Sequence, residues 1–252
     1  MKTLIVIPSR FGSTRFEGKP LIDIAGKTLI QRTYLQANKN ELNARVIVAT
    51  DDERIYKHVN TFGECMMTNV HHQSGTDRCF EVLEKLNESF DLLINLQGDE
   101  PFIQPNQISI LAKGLMNVNT KITTLKKRIK NQDDLLNPNH VKVVTDKINN
   151  ALYFSRQAIP YLRGIGSEDW VNHYSYFRHI GMYGFRTEII PKLKSLQVSE
   201  LEQLESLEQL RWLDNGFKIN VLETDFQSPA IDSPEDLVTV ENFLKSNPEM
   251  ID

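Results

Sequence analysis

The sequence has little cysteine: Cys65 and Cys79 are the only two among 252 residues. They lack C-x-x-C spacing and stand apart from other ligand-type residues. That excludes a disulfide framework and a thiolate metal centre, and leaves two reduced thiols. Positive charge is not in excess. Acidic residues number 33 and basic residues 29, a net charge of −4, with a pI near 5.9. A nucleic-acid partner is therefore not expected, and any anion site must be local, built from a few cations. No apolar run approaches the roughly 18 residues of a membrane span. The apolar start ends at Pro8 and is too short for a secretory leader. These absences lead us to expect a cytoplasmic protein with no membrane partner. Repeats, low-complexity tracts and Pro/Gly/Ser linkers are also missing, so residues 1–252 read as a single domain.

What is present is a rhythm. β-branched runs at 4–7, 45–49, 92–96, 121–125, 141–144 and 151–154 predict strands. Between them, 29–38, 52–62, 76–87 and 105–116 carry a helical period. The alternation predicts an α/β fold: a mostly parallel, twisted, Rossmann-like sheet with helices on both faces. Ligands in such sheets collect beyond the carboxyl ends of the strands, which directs attention to the residues after Ile7, Ala49 and Leu96. The rhythm breaks over about 155–200, rich in Tyr, Arg, Gly and His. This stretch reads as an embedded subdomain of loops and strands, a hairpin among the options. A capping box, Ser199-Glu200-Leu201-Glu202, opens a helix over 200–215. Ser233-Pro234-Glu235-Asp236 opens the last helix, with Ser233 as its cap.

The most informative stretch follows the first strand: Ser9-Arg10-Phe11-Gly12-Ser13-Thr14-Arg15-Phe16-Glu17-Gly18-Lys19-Pro20. Glycines let a backbone approach an anion closely, and successive N–H groups form a concave nest. Arg10, Arg15 and Lys19 add charge suited to a polyphosphate. It is not a Walker loop, because five residues separate Gly12 from Gly18 and a proline follows the lysine. A G-x-G-x-x-G fingerprint is absent as well.

After the third strand comes Gln97-Gly98-Asp99-Glu100-Pro101. Asp99 would project into the crevice that the cationic loop faces. Paired with Asp232, just before the last helix, it would suit magnesium, which takes one or two carboxylates plus substrate phosphates. Asp99 as a turn former and Asp232 as a cap remain open. His72-Gln73-Ser74-Gly75-Thr76-Asp77-Arg78 precedes a helix and could read a base edge, or simply cap that helix through Ser74 or Thr76. In the 200–215 helix, seven residues bring Glu208 back to within roughly 20° of Leu201. Glu208 would then lie among apolar positions, paired with a buried cation or facing a polar ligand, with Gln209 beside it. Arg156 or His179 could hold a substrate carboxylate, although a lone histidine is as often structural. Lys126-Lys127-Arg128 with Lys130 reads as a solvated face.

Taken together, these segments resemble one family. The run from Ile7-Pro8-Ser9-Arg10 to Gly18-Lys19-Pro20-Leu21, the His72–Arg78 and Leu96–Pro101 stretches, Asn137-Pro138-Asn139-His140-Val141-Lys142-Val143-Val144, Ala151-Leu152-Tyr153-Phe154-Ser155-Arg156, Leu207-Glu208-Gln209-Leu210-Arg211 and Asp232-Ser233-Pro234-Glu235-Asp236-Leu237 are similar, in order, to the 3-deoxy-manno-octulosonate cytidylyltransferases. The family pattern has Ala at the position of Ser9 and Leu-Pro at Phe16-Glu17. The resemblance implies a nucleotide-diphospho-sugar transferase fold, a cytoplasmic homodimer and a role in lipopolysaccharide synthesis. The implied reaction joins CTP to the eight-carbon sugar acid, with its 8-amino analogue or another 2-keto sugar acid as the alternative acceptor. It assigns Pro8, Arg10, Ser13, Lys19, Gln73, Ser74, Gly75 and Arg78 to the nucleotide. Arg15, Gln97, Arg156, His179, Tyr183, Glu208 and Gln209 are assigned to the sugar acid, and Asp99 and Asp232 to Mg2+. Arg10, Lys19, Asp99 and Asp232 are the expected catalytic set.

Overall fold

The computed structural model describes residues 1–12, 16–226, 229, 231 and 233–250, of 249 the backbone alone. Ser13, Arg15 and Asp232 lie outside the described residues. The chain forms two compact units, one from residues 1–109 together with 227–252 and one from 110–226.

The first unit carries strands β1 (Thr3–Ser9), β2 (Asp23–Ile24), β3 (Lys27–Thr28), β4 (Arg45–Thr50), β5 (Cys65–Met67) and β6 (Leu92–Asn95). Its helices are α1 (Leu29–Asn38), α2 (Glu53–Val59) and α3 (Gly75–Lys85). Pairing of β1 with β4, β1 with β6 and β4 with β5 is parallel throughout. The order is β5-β4-β1-β6. Leu4, Ile5, Val6 and Ile7 are all fully buried, as a strand covered on both faces requires. Right-handed crossovers place α1 and α2 on one face and α3, on the returning connection, on the other. The strand order reverses between β1 and β6, so a topological switch point opens where Pro8–Arg10 and Gln97–Asp99 leave the sheet.

The expected helix 29–38 has the observed bounds, capped by Thr28, whose Oγ1 accepts from the Gln31 N–H at 3.3 Å. The expected 52–62 helix starts one residue later and ends at Val59, because Asp52 is its N-cap. Residues 65–67 were not expected as a strand; three residues are too few to show alternation. A small core of Ile24, Leu29, Phe102, Ile231, Val240 and Leu244 ties the chain's final segment to this unit.

Helix α4 (Pro105–Gly114) spans the division between the units. In the second unit come β7 (Ile122–Arg128), α5 (Gln132–Leu136), β8 (Lys142–Thr145), β9 (Ala151–Ser155), α6 (Trp170–His173), β10 (Phe177–Arg186), α7 (Ile190–Lys194), α8 (Glu200–Glu205), α9 (Gln209–Asp214) and β11 (Ile219–Glu223). Helix α10 (Asp236–Ser246) belongs to the first unit. The second unit's strands are mixed. β11 runs parallel to β7, whereas β7–β10, β10–β8 and β8–β9 are antiparallel.

Four expectations change here. The last helix starts at Asp236 with Glu235, not Ser233, at its N-cap. The 155–200 segment holds no hairpin of its own; its main element is the ten-residue β10, which pairs with strands earlier in the chain. Lys126 is not on a solvated face. It is 5% exposed, its Nζ donates to Thr145 and Asn149, and it lies over the Phe177 ring. The helix at 200–215 is broken: Ser206 adopts φ 51°, ψ 50°, a left-handed residue that ends α8 before α9 begins. Leu201 and Leu204 are exposed, while Leu207 and Leu210 are buried. The angular argument that placed Glu208 on the face of Leu201 therefore does not apply.

Candidate active site

At the switch point of the first unit lies a cavity of about 240 Å³, lined by Pro8, Ser9, Arg10, Lys19, Pro20, His72, Gln73, Ser74, Gly75, Arg78, Gln97, Gly98 and Asp99. Seven of the eight residues expected to bind nucleotide are thus brought together; the eighth, Ser13, is outside the described residues. The cation wall and the acid wall share this one pocket. Lys19 Nζ donates to Asp99 Oδ2 at 2.9 Å and to the Ile231 carbonyl at 2.9 Å. Arg10 is exposed at the rim. Gly98 is required by close approach: a Cβ there would lie 2.7 Å from the Pro8 carbonyl oxygen.

The base-side candidates sit at the start of α3. Ser74 is its N-cap, its Oγ accepting from the Asp77 N–H at 3.0 Å. That leaves the Ser74 hydroxyl hydrogen and the neighbouring backbone for a ligand. A Cβ on Gly75 would meet the Pro8 ring at 3.0 Å. Arg78 does not offer a free guanidinium. It is 4% exposed and donates to Asp51 Oδ2 at 2.7 Å, to Thr68 Oγ1 and to the Asn69 carbonyl. Its place is to hold the pocket wall.

The sugar-side candidates of the second unit have their own geometry. Arg156 donates through Nε to the Glu205 carbonyl at 2.7 Å, through Nη1 to the Pro138 carbonyl at 3.1 Å and through Nη2 to the Ser206 carbonyl at 3.4 Å. It ties main chain together here and is half-buried, with N–H donors beyond these three. His179 is buried and lies 2.8 Å from Thr124 Oγ1 through Nε2. That hydroxyl also lies 2.8 Å from the Met182 carbonyl. With its hydrogen donated there, the imidazole Nε2–H is the donor to Oγ1 and Nδ1 keeps its lone pair. Burial, with a smaller contribution from Arg178, pushes His179 down to about 3, so it acts as a neutral group, not as a cation.

Tyr183 follows a bulge between Ile180 and Tyr183 in β10 and packs edge-on against Trp212. Burial and then the Glu208 charge raise its phenol well above the usual value. Gln209 is 4% exposed and its Nε2 has no hydrogen-bond partner. An unpaired buried amide of this kind costs about 1–3 kcal/mol unless a ligand or water meets it.

Comparison with known proteins gives the family. The profile of a family described as "Cytidylyltransferase" matches residues 4–219. A 3-deoxy-manno-octulosonate cytidylyltransferase of Cytophaga hutchinsonii is 49% identical over 93% of this chain and 94% of its own. One from Parabacteroides distasonis is 47% identical over 97% and 98%. The chain belongs to the 3-deoxy-manno-octulosonate cytidylyltransferase family. A solved structure of CMP:2-keto-3-deoxy-manno-octonic acid synthetase complexed with CTP has a TM-score of 0.90 and 39% identity, covering 98% of this chain and all of that one.

Within this cytidylyltransferase, three contributors escaped the sequence reading. Asp51 and Thr68 hold Arg78 in place, and only the pairing of β4 with β5 brings them near α3. Glu81 sits two turns into α3 and bonds the ring of His72, a pocket residue, as well as Lys85 and the Asn69 N–H. Burial works to raise the Glu81 carboxyl. The donors from Lys85, Asn69 and His72 outweigh it and bring it to about 2.

Proposed function

We propose that this cytidylyltransferase transfers the CMP group of CTP to 3-deoxy-D-manno-octulosonate, giving the activated sugar of lipopolysaccharide synthesis and pyrophosphate. The observation that carries the reading is the switch-point pocket, where Arg10, Lys19 and Asp99 meet the start of α3. Arg10 and Lys19 offset the charge of the triphosphate and then the charge that gathers on the departing pyrophosphate. Gln73, Ser74 and Gly75 offer side-chain and backbone groups to the base. Arg15, Gln97, Tyr183, Glu208, Gln209 and neutral His179 are assigned to the sugar acid, whose anomeric hydroxyl attacks the α-phosphorus in line. No covalent enzyme intermediate is needed.

We assign Mg2+ to Asp99, with Asp232 as the second ligand expected from the sequence. Asp99 suits the ion: Oδ2 faces Lys19, and Oδ1 accepts no hydrogen bond among the described residues. Magnesium characteristically takes one or two carboxylates and completes its shell with substrate oxygens and water. When bound, it supplies charge to the phosphates and acidifies the hydroxyl it meets. From the family resemblance we also propose a cytoplasmic homodimer, checked by light scattering.

The test is a pyrophosphate-release assay crossing four nucleoside triphosphates with the eight-carbon acid, its 8-amino analogue and a nine-carbon sialic-type acid, with and without magnesium. Turnover is expected only for CTP with the eight-carbon acid and magnesium. Preference for another acid would move the acceptor. CTP binding without pyrophosphate release would make the chain a binding module. Asp99→Ala is expected to lower the rate by at least about 10²–10³, the cost of one preorganised group at a site of developing charge. Near-normal turnover of that variant at limiting magnesium would remove Asp99 from the metal site.

A further inference from the structure

The segment Asn137–Val144 has no role in the reaction as set out above, yet it contains a lysine with no solvent exposure at all. Lys142 on β8 is 0% exposed. Its ammonium donates to the Asn137 carbonyl at 3.0 Å and to the Arg156 carbonyl. Burying a lysine this fully is costly unless its donors are met, so the contact must fix something. The contacts form a closed circuit. Arg156 directly follows β9 and, besides the carbonyls named above, gives its backbone N–H to Glu205 Oε2 at 2.9 Å. Ser155 Oγ donates to Glu205 Oε1 at 2.6 Å. Both carbonyls at the break between α8 and α9, those of Glu205 and Ser206, are thus tied to Arg156, which Lys142 ties to β8.

The circuit encloses the one residue that breaks the helix. Ser206 is a non-glycine residue at φ 51°, a conformation that persists only where surrounding contacts over-determine it. Its consequence is the start of α9, which sets Glu208 beside Tyr183 and leaves Gln209 buried with an unpaired amide nitrogen. A continuous helix would carry both side chains elsewhere.

We propose that buried Lys142, with Arg156 and Glu205, forms a clamp whose task is to hold the Ser206 break, so that Glu208 and Gln209 are positioned for the sugar acid. The proposal rests on the transferase reading, which assigns those two residues to that substrate. Lys142 is a positioning residue here, not a catalytic one. The charged groups around it are Glu205, Arg156, Arg178 and His140. Burial lowers its ammonium to about 8, against the raising effect of Glu205 and with help from Arg156 and Arg178. Above that pH it is a neutral amine, which still has donors for both carbonyls.

Three variants test this in the full chain. Lys142→Met keeps the stem and removes the charge. Ser155→Ala removes the hydrogen bond to Glu205 and the one that Ser155 Oγ accepts from the Gln157 N–H. Lys142→Arg keeps a charge that does not titrate below pH 12. KM for the sugar acid is expected to rise about tenfold in Lys142→Met and less in Ser155→Ala, the size of a lost charge-assisted hydrogen bond. KM for CTP should stay unchanged. Lys142→Arg, which keeps donors for the two carbonyls, should stay closer to the wild-type KM than Lys142→Met. Amide hydrogen exchange across 204–210 should speed up in Lys142→Met whatever the substrate is. Unchanged exchange there overturns the clamp, and so does a parallel rise of both KM values. A wild-type chain that releases no pyrophosphate from CTP with any acid, yet shows the faster exchange in Lys142→Met, would instead overturn the transferase reading and leave the clamp standing.

Discussion

Lys19 is shared between a carboxylate and a carbonyl, Asp99 Oδ2 and Ile231 O. On the proposed reading, removing it deprives the triphosphate of a cation and leaves the Asp99 carboxylate without this ion pair. Lys19→Ala is expected to lower kcat/KM by about 10²–10³ in pyrophosphate release, with a rise in KM for CTP. Gly98 tests the pocket's shape. An alanine Cβ would sit 2.7 Å from the Pro8 carbonyl oxygen, a backbone atom that no rotamer change can move. Gly98→Ala should destabilise the fold by about 1–3 kcal/mol in urea titration and weaken CTP binding. The loop after β1 and the Gly-Asp turn after β6 were legible in the sequence because strand ends in α/β sheets are where ligands gather. The tie from Arg78 to Asp51 was not, since it joins residues 27 apart that only strand pairing brings together. Arg156 was legible as a cation but not as a strut, because its carbonyl partners carry no sequence signature.

At the scale of elements, α3 unites stability and binding. Its cap, Ser74, also lines the pocket. Ser74→Ala should lower stability by about 1 kcal/mol, read from the denaturant midpoint, and Ser74→Asn should recover most of it. Long strands and helices could be read from hydrophobic period and caps, and β1, β4, β6 and α1 lie where the sequence puts them. The break at Ser206 could not, because leucines at 201, 204, 207 and 210 mimic one continuous apolar stripe. Leu204 is 74% exposed, so the first half of that stripe faces water. Glycine and proline, the usual breakers, are absent from 200–215; hydrogen bonds from β9 do their work. Lys126 likewise looked like surface charge, since a partner such as Asn149 lies in a later part of the chain.

Across the whole molecule, buried titrating groups set how stability follows pH. His179 stays neutral when folded down to about 3, against 6.5 when unfolded. Its contribution is complete above pH 6.5 and is lost as pH falls toward 3. His140, also lowered by burial, acts in the same direction. Glu81 adds its loss only below 4.5, down to about 2. Stability should therefore start to fall between pH 6.5 and 4.5, before the carboxylates titrate. His179→Gln should flatten that limb in chemical denaturation measured at successive pH values. Lys142 has the opposite consequence at high pH. Its folded form loses a proton near 8 and its unfolded form near 10.5, so its contribution to stability rises across that interval.

The first unit is assembled from both ends of the chain, residues 1–109 and 227–252. Lys19 reaches the carbonyl of Ile231, 212 positions later. During synthesis, the nascent β1 to β6 stretch must wait while more than a hundred residues are added before its last partner emerges. The 110–226 unit is contiguous and needs no such wait. A chain cut after residue 226 would thus hold the whole second unit but a first unit still lacking its closing helix.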